Sequence, residues 1–468
     1  MLYRSTHIKT IGRIKWKALM VLNFSLVLLF ASCKKLIEIP APENEIIRSA
    51  VFSDKGTAEA AMAGIYNKLV NSGAFGGSFG SLTMLEGAYA DELVSYGNAN
   101  SPVTAFYANS IVNTNSSVAS IWSSSYNIIY SANAVVEGLD GSKGIQEALK
   151  RQLKGESLFL RAFMHFYLVN IFGAVPYIKT TDYEANSKVT STPVDELYSL
   201  MIEDLLEAKD LLVNEYPSTQ RVRINKGAAT ALLARAYLYS GKWAEAEVQS
   251  TELINNKAQY ELLNDLNTVF LKNSKEAIWQ LIPVFQTTNE GQLFILVAPP
   301  TFVAMNHELA ESFDATDKRK QNWIGVLTSG SGFSKWHYPF KYKEKNNGTG
   351  AEYSMVLRMA EQYVIRAEAR AEQGKLTGNN SAETDINSIR NRAGLGNTTA
   401  TTKAQLITAI EQERKWELFT EMGHRFFDLK RLGRLDAVLD PIKPNWEPTD
   451  ALLPIPQSEL LSNPNLNN

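Results

Sequence analysis

The stretch MVLRMAEQYVIRAEARAEQGK at 355–375, with ERKWELFTEMGHRFFDLKRLG at 413–433, decides how the rest of the chain is read. In the first part Ala360, Tyr363, Val364, Ala367 and Ala371 recur at helical spacing, with Arg358, Glu361, Arg366, Glu368 and Arg370 around them. A stripe of mostly small residues predicts a helix packed closely on another helix. Leading into the second part, Ile407, Ile410, Arg414 and Leu418 set an arginine into an apolar stripe. A guanidinium there needs a partner. Glu413, Glu417, Glu421 and Asp428 offer carboxylates within the same segment. With Glu361, Glu368 and Arg425 they are expected to form a structural ion-pair network.

Composition bounds the function. The chain has 468 residues, long enough for two or three lobes. With 45% hydrophobic and 21% charged residues it reads as an ordinary globular protein. Five of the 47 basic residues fall in the first 32 positions, which hold no acid; the remainder carries 42 basic against 49 acidic residues, a net of −7. That balance argues against nucleic acid as a partner.

The same residues carry a resemblance. Arg358, Ala360, Glu361, Tyr363, Ala367 and Glu368, then Asn387, Ile389, Arg390, Arg392 and Gly394, then Glu413, Arg414, Glu417, Glu421, Arg425, Phe427, Asp428, Arg431 and Gly433 resemble the C-terminal signature of the SusD/RagB family. Met422 stands between Glu421 and Gly423, where the family's more compact form places glycine directly after the glutamate. The resemblance implies a mainly α fold of degenerate tetratricopeptide-like helix pairs in a right-handed helical scaffold, with an irregular, loop-rich ligand-binding lobe and a few short strands. It also implies a non-enzymatic surface lipoprotein of Bacteroidetes that binds a nutrient, usually a glycan, over a SusC-like TonB-dependent transporter.

The amino terminus reads as a targeting segment. Arg4, Lys9, Arg13, Lys15 and Lys17 precede an apolar run from Leu19 to Phe30, too short for a spanning helix, and then Ala31, Ser32 and Cys33. Residues 1–32 are therefore expected to be a lipoprotein signal peptide. Cys33, the chain's single cysteine, is the expected lipidation site, since thioether transfer needs a good nucleophile. Cleavage before Cys33 and an outer-membrane lipid anchor facing the exterior follow from the resemblance. Residues 33–52, with Pro40 and Pro42, read as a tether.

Beyond the tether, 53–256 reads as an N-terminal helical region. Helices are predicted near Ser53, over 116–136, 155–172 and 192–213. Within Gly227–Asn256, Ala234, Tyr237, Gly241 and Ala246 match a tetratricopeptide helix pair. Residues 257–354 form an irregular insertion lobe, with a candidate strand over 276–284, and 355–468 the signature region.

For chemistry, the alternation of charge around Glu361 and Glu368 favours ion pairs over a glycosidase acid and base. Gly76, Gly77, Ser78, Phe79 and Gly80 match G-x-S-x-G, but a nucleophile elbow needs a preceding strand and a helix is predicted there. His7, His165, His307, His337 and His424 show no metal-ligand spacing, and neither a cofactor fingerprint nor an EF-hand appears; a structural calcium ion is left open. Trp323, Trp336 and Tyr338 are the candidate sugar-stacking platform. The alternatives are a tetratricopeptide-like scaffold binding a peptide or protein, and a lipid-anchored glycoside hydrolase.

Overall fold

The computed structural model describes residues 51–467 except 331 and 347; the signal segment 1–32, Cys33 and nearly all of the 33–52 tether lie outside them. Asp54 accepts the Gly56 and Thr57 N–H groups and so starts α1 (Lys55–Asn71), which buries Ala58, Met62, Ile65 and Leu69 as their spacing predicts. A Gly/Ser loop leads to α2 (Leu82–Tyr89), β1 (Leu93–Ser95) and α3 (Pro102–Tyr107). Two long helices follow, α4 (Ser116–Asp140) and α5 (Glu147–Phe172). The latter begins two turns before the predicted start at Gly155, because those turns are mostly solvent-facing and carry little apolar periodicity. The short α6 (Tyr183–Asn186) precedes α7 (Val194–Leu211), and α8 (Lys226–Tyr239) and α9 (Trp243–Asn255) form the predicted tetratricopeptide-like hairpin. Ala228, Ala231, Ala234 and Ala236 are wholly or almost wholly buried, so backbones approach where only small side chains intervene.

The insertion region holds β2 (Ala277–Leu281), α10 (Asn289–Phe294), β3 (Val303–Met305), α11 (His307–Glu311), α12 (Lys318–Trp323), β4 (Ile324–Thr328) and β5 (Lys335–Pro339). It ends at β6 (Ser354–Arg358), which pairs antiparallel with β2, so the strand expected over 276–284 forms. The other strands make an antiparallel sheet in the order β1-β3-β5-β4. The signature region supplies α13 (Met359–Glu372), α14 (Ala382–Arg392), α15 (Lys403–Leu418), α16 (His424–Arg431), α17 (Leu435–Leu439) and α18 (Gln457–Ser462). The composition is 53% helix and 7% strand, which makes the fold mainly α. Val51–Asn468 is one compact unit containing all three sequence regions.

Helices α4, α5, α7, α8, α9 and α13 pack each on the next, and α14 and α15 close on α13. Ala367 and Ala371 meet Ala382, Ile386, Leu406 and Ile410, while Ala360 and Val364 meet Ile389 and Leu418. The small-residue stripe of 355–375 therefore seats two helices at once.

The arginine in the apolar stripe is paired as its setting demands: Arg414 Nε donates to Asp428 Oδ2 at 2.7 Å. Asp428 also accepts from Arg431 at 2.9 Å, and Arg431 continues to Glu368. Around Glu417, on α15, the network branches to β6, α12 and α14 and to Glu276 just before β2. Arg358 Nη1 lies 2.6 Å from Glu417 Oε1 and 3.0 Å from Glu276, Arg392 bridges the same two carboxylates, and Arg319 reaches Glu413 at 2.6 Å and Glu417 at 3.1 Å. Glu421 accepts from Arg358 at 2.7 Å and from Lys341. Arg425 holds Asp91 at 2.8 Å, which ties the signature region to the segment after α2. Burial would raise the Glu417 carboxyl, but Arg392, Arg358 and Arg319 hold it well below the usual range.

Candidate functional site

The three predicted stacking residues separate. Trp323 is corrected from platform to core: it is fully buried, its indole N–H donates to the Leu266 carbonyl at 3.0 Å, and it packs on Phe270. Lys341, Arg392 and Arg358 surround its ring at 5.1, 5.7 and 5.8 Å. An aromatic face in the middle of a buried cationic cluster explains why tryptophan stands there. Trp336 and Tyr338 are half-buried on β5, on one face and opposite Leu327 and Gly325. A side chain at Gly325 would come within 2.1 Å of the Tyr338 ring, so the ring lies flat across the glycine.

The sheet's other edge carries rings that the sequence reading passed over. Tyr96, directly after β1, donates its N–H to the carbonyl of Phe302, directly before β3, at 2.8 Å. Phe302 makes an edge-on contact with Phe79 at 4.6 Å, and the two are 45% and 41% exposed, which leaves ring area free for a ligand. They stand at a groove of about 390 Å³ whose wall runs through α10 and on to Val303, with Ser78, Gln292, Thr301 and Lys345 among its polar members.

Close approaches build this groove. The Gly/Ser loop is pinned to α10 where Asn289 Nδ2 donates to the Gly76 carbonyl at 2.6 Å. Gly77, at φ +71°, would place a Cβ 2.3 Å from the Glu290 carboxylate, so only glycine lets the loop lie there. Burial pushes the Glu290 carboxyl up to about 7, and Ser354 donates to it at 2.7 Å. Lys345 donates to the Gln292 and Ile295 carbonyls at 2.9 and 2.6 Å and fixes the opposite wall. The signal in sequence was Phe79 inside a Gly/Ser-rich loop that carries neither helix nor strand periodicity.

The residues that could have supported hydrolysis are engaged elsewhere. Glu361 takes a bidentate fork from Arg235 at 2.6 and 2.7 Å, Glu368 is held by Arg431, and both are buried. The G-x-S-x-G segment lies between α1 and α2, so a helix and not a strand leads into it. Two histidines that looked unrelated do meet: His307, Glu311 and His337 offer donor atoms within 4.8 Å of one another, although the sequence showed no metal-ligand spacing. Thirty positions and a strand crossover separate the two histidines, which no spacing rule captures.

The fold and these sites can be set beside known proteins. Residues 306–468 match the family described as SusD family, and residues 44–238 match one described as starch-binding, associating with outer membrane. The chain belongs to the SusD/RagB family. Among SusD/RagB relatives, SusD-like protein P2 of Formosa agariphila is 27% identical over 94% of this chain and 97% of its own length. A SusD superfamily protein from Bacteroides vulgatus superposes with a TM-score of 0.78 at 23% identity, covering 89% of this chain and 98% of that one. A laminarin binding SusD-like protein gives 0.73 at 23% identity, over 88% and 98%. Likeness at these identities shows the SusD/RagB fold. The mainly helical class and the degenerate helix pairs expected from the C-terminal signature agree with it.

Proposed function

We propose that this SusD/RagB chain binds an oligosaccharide without altering it, in the groove edged by Phe79 and Phe302. One observation carries the reading: two exposed rings in mutual contact at the lip of a groove large enough for a small ligand. Sugar C–H faces stack on aromatic rings, and Ser78, Gln292 and Thr301 stand where hydroxyls could be bonded. Trp336 and Tyr338, on the same sheet, extend the aromatic surface. The family description of starch binding and the laminarin-binding relative support a glycan as the ligand class.

The chain works as an outer-membrane lipoprotein acylated at Cys33, facing the exterior, and passes its ligand to a SusC-like TonB-dependent transporter over which it closes as a lid. Family membership supports this part. The hydrolase alternative loses its candidate pair to Arg235 and Arg431. The purified mature chain, titrated with a panel of oligosaccharides and assayed in parallel for released reducing ends, tests the reading. Saturable binding without product supports it; product release, or binding only to peptides, sinks it. Co-purification with a TonB-dependent transporter from membranes expressing both tests the handoff.

A further inference from the structure

His307 opens α11 and Glu311 lies one turn on, so both project from the same helical face. His337 reaches them from β5, where it sits opposite Met305, the last residue of β3. Asn306, which follows, caps α11 by accepting the Glu308 N–H at 2.8 Å, so strand and helix are joined without slack. His337 Nε2 is 3.3 Å from Glu311 Oε1, and the two imidazole rings are 5.3 Å apart between centres.

We propose that His307, Glu311 and His337 form a binding site for a divalent transition-metal ion of the zinc class. Two imidazoles and one carboxylate are a ligand set zinc accepts with an open position for water. Bonds of about 2.0–2.1 Å in a tetrahedron put neighbouring donors about 3.4 Å apart. The Glu311–His337 separation of 3.3 Å matches such an edge, and the exposed His307 has a donor atom within 4.8 Å of both to complete the face. Lys320 donates to the other Glu311 oxygen at 3.0 Å and so directs Oε1 inward. His307 and Glu311 are exposed, so an ion reaches the site from solvent. Once bound it clips α11 to β5 and stiffens the sheet whose far edge carries Tyr96 and Phe302.

The test is calorimetric titration of the untagged mature chain, stripped with a chelator, against zinc chloride. The expected result is one equivalent bound, with affinity weakened roughly tenfold or more in each of His307→Ala and Glu311→Gln. Both side chains are exposed, so metal-free melting of the two variants stays at the wild-type value. Cobalt in place of zinc should show the ligand-field absorption of a site with nitrogen ligands, and His337→Gln should abolish it. Absence of a stoichiometric equivalent, or zinc binding unchanged by His307→Ala, overturns the site.

Discussion

Arg235 of α8 and Glu361 of α13 face each other as a closed fork, Nε to Oε1 at 2.6 Å and Nη2 to Oε2 at 2.7 Å, with both side chains almost completely enclosed. The pair spans two helices 126 positions apart in sequence. Removing one partner strands the other in the interior. Glu361→Ala is expected to cost about 3–5 kcal/mol, read as a fall in the denaturant midpoint. Replacing both by apolar residues of similar volume should recover much of that loss. A Glu361→Ala chain as stable as wild type would refute the structural role.

Aromatic substitutions should sort by position. Trp323→Ala empties a core site and exposes the cations around it, and should destabilise by about 3–5 kcal/mol. Phe79→Ala and Phe302→Ala remove partly exposed rings and should leave the melting temperature nearly unchanged while weakening glycan binding. Thermal melting beside ligand titration separates the two classes.

Stability should depend on pH through α2. Burial pushes the Glu86 carboxyl up to about 8, opposed by Lys430, and neither of its oxygens has a hydrogen-bond partner. From about pH 5 to 8 the folded chain keeps a proton that the unfolded chain releases, so stability falls as pH rises across that window. Glu86→Gln should remove this loss, about 2–4 kcal/mol, and flatten the alkaline side of the melting profile. At the acid end the sign reverses: Glu417 and Asp428 are held below the usual range, and their contribution is lost as pH drops through their lowered values. A Glu86→Gln profile parallel to wild type would contradict the assignment.

Attachment to the membrane should rest on one atom. Cys33→Ala is expected to move the chain from the membrane to the soluble fraction and to abolish incorporation of labelled fatty acid, since each buried methylene contributes about 0.8 kcal/mol to anchoring. Fractionation and metabolic labelling check this directly.

The fold was legible where packing leaves a periodic trace. Ala360, Val364, Ala367 and Ala371 announced close packing on another helix, where the structure seats two, and Arg414 in its apolar stripe announced a buried partner, found as Asp428. The groove was not legible for a different reason. Phe79 lies in a loop without period and Phe302 beside a strand of three residues, and only the pairing of β1 with β3 brings that edge together. Trp323 misled because an aromatic-rich segment looks alike whether its rings face solvent or, as here, a cage of three cations. His307 and His337 were hidden in the same way, one at the start of a helix and one on a strand.

The most direct test of the account is calorimetric titration of one oligosaccharide ligand, chosen from the panel, into wild-type protein and into the Phe79→Ala/Phe302→Ala double variant. The account predicts binding weakened at least about tenfold in a variant that melts as wild type does, with no sugar cleaved in either sample. Equal affinity in the two proteins would place the ligand elsewhere and contradict it.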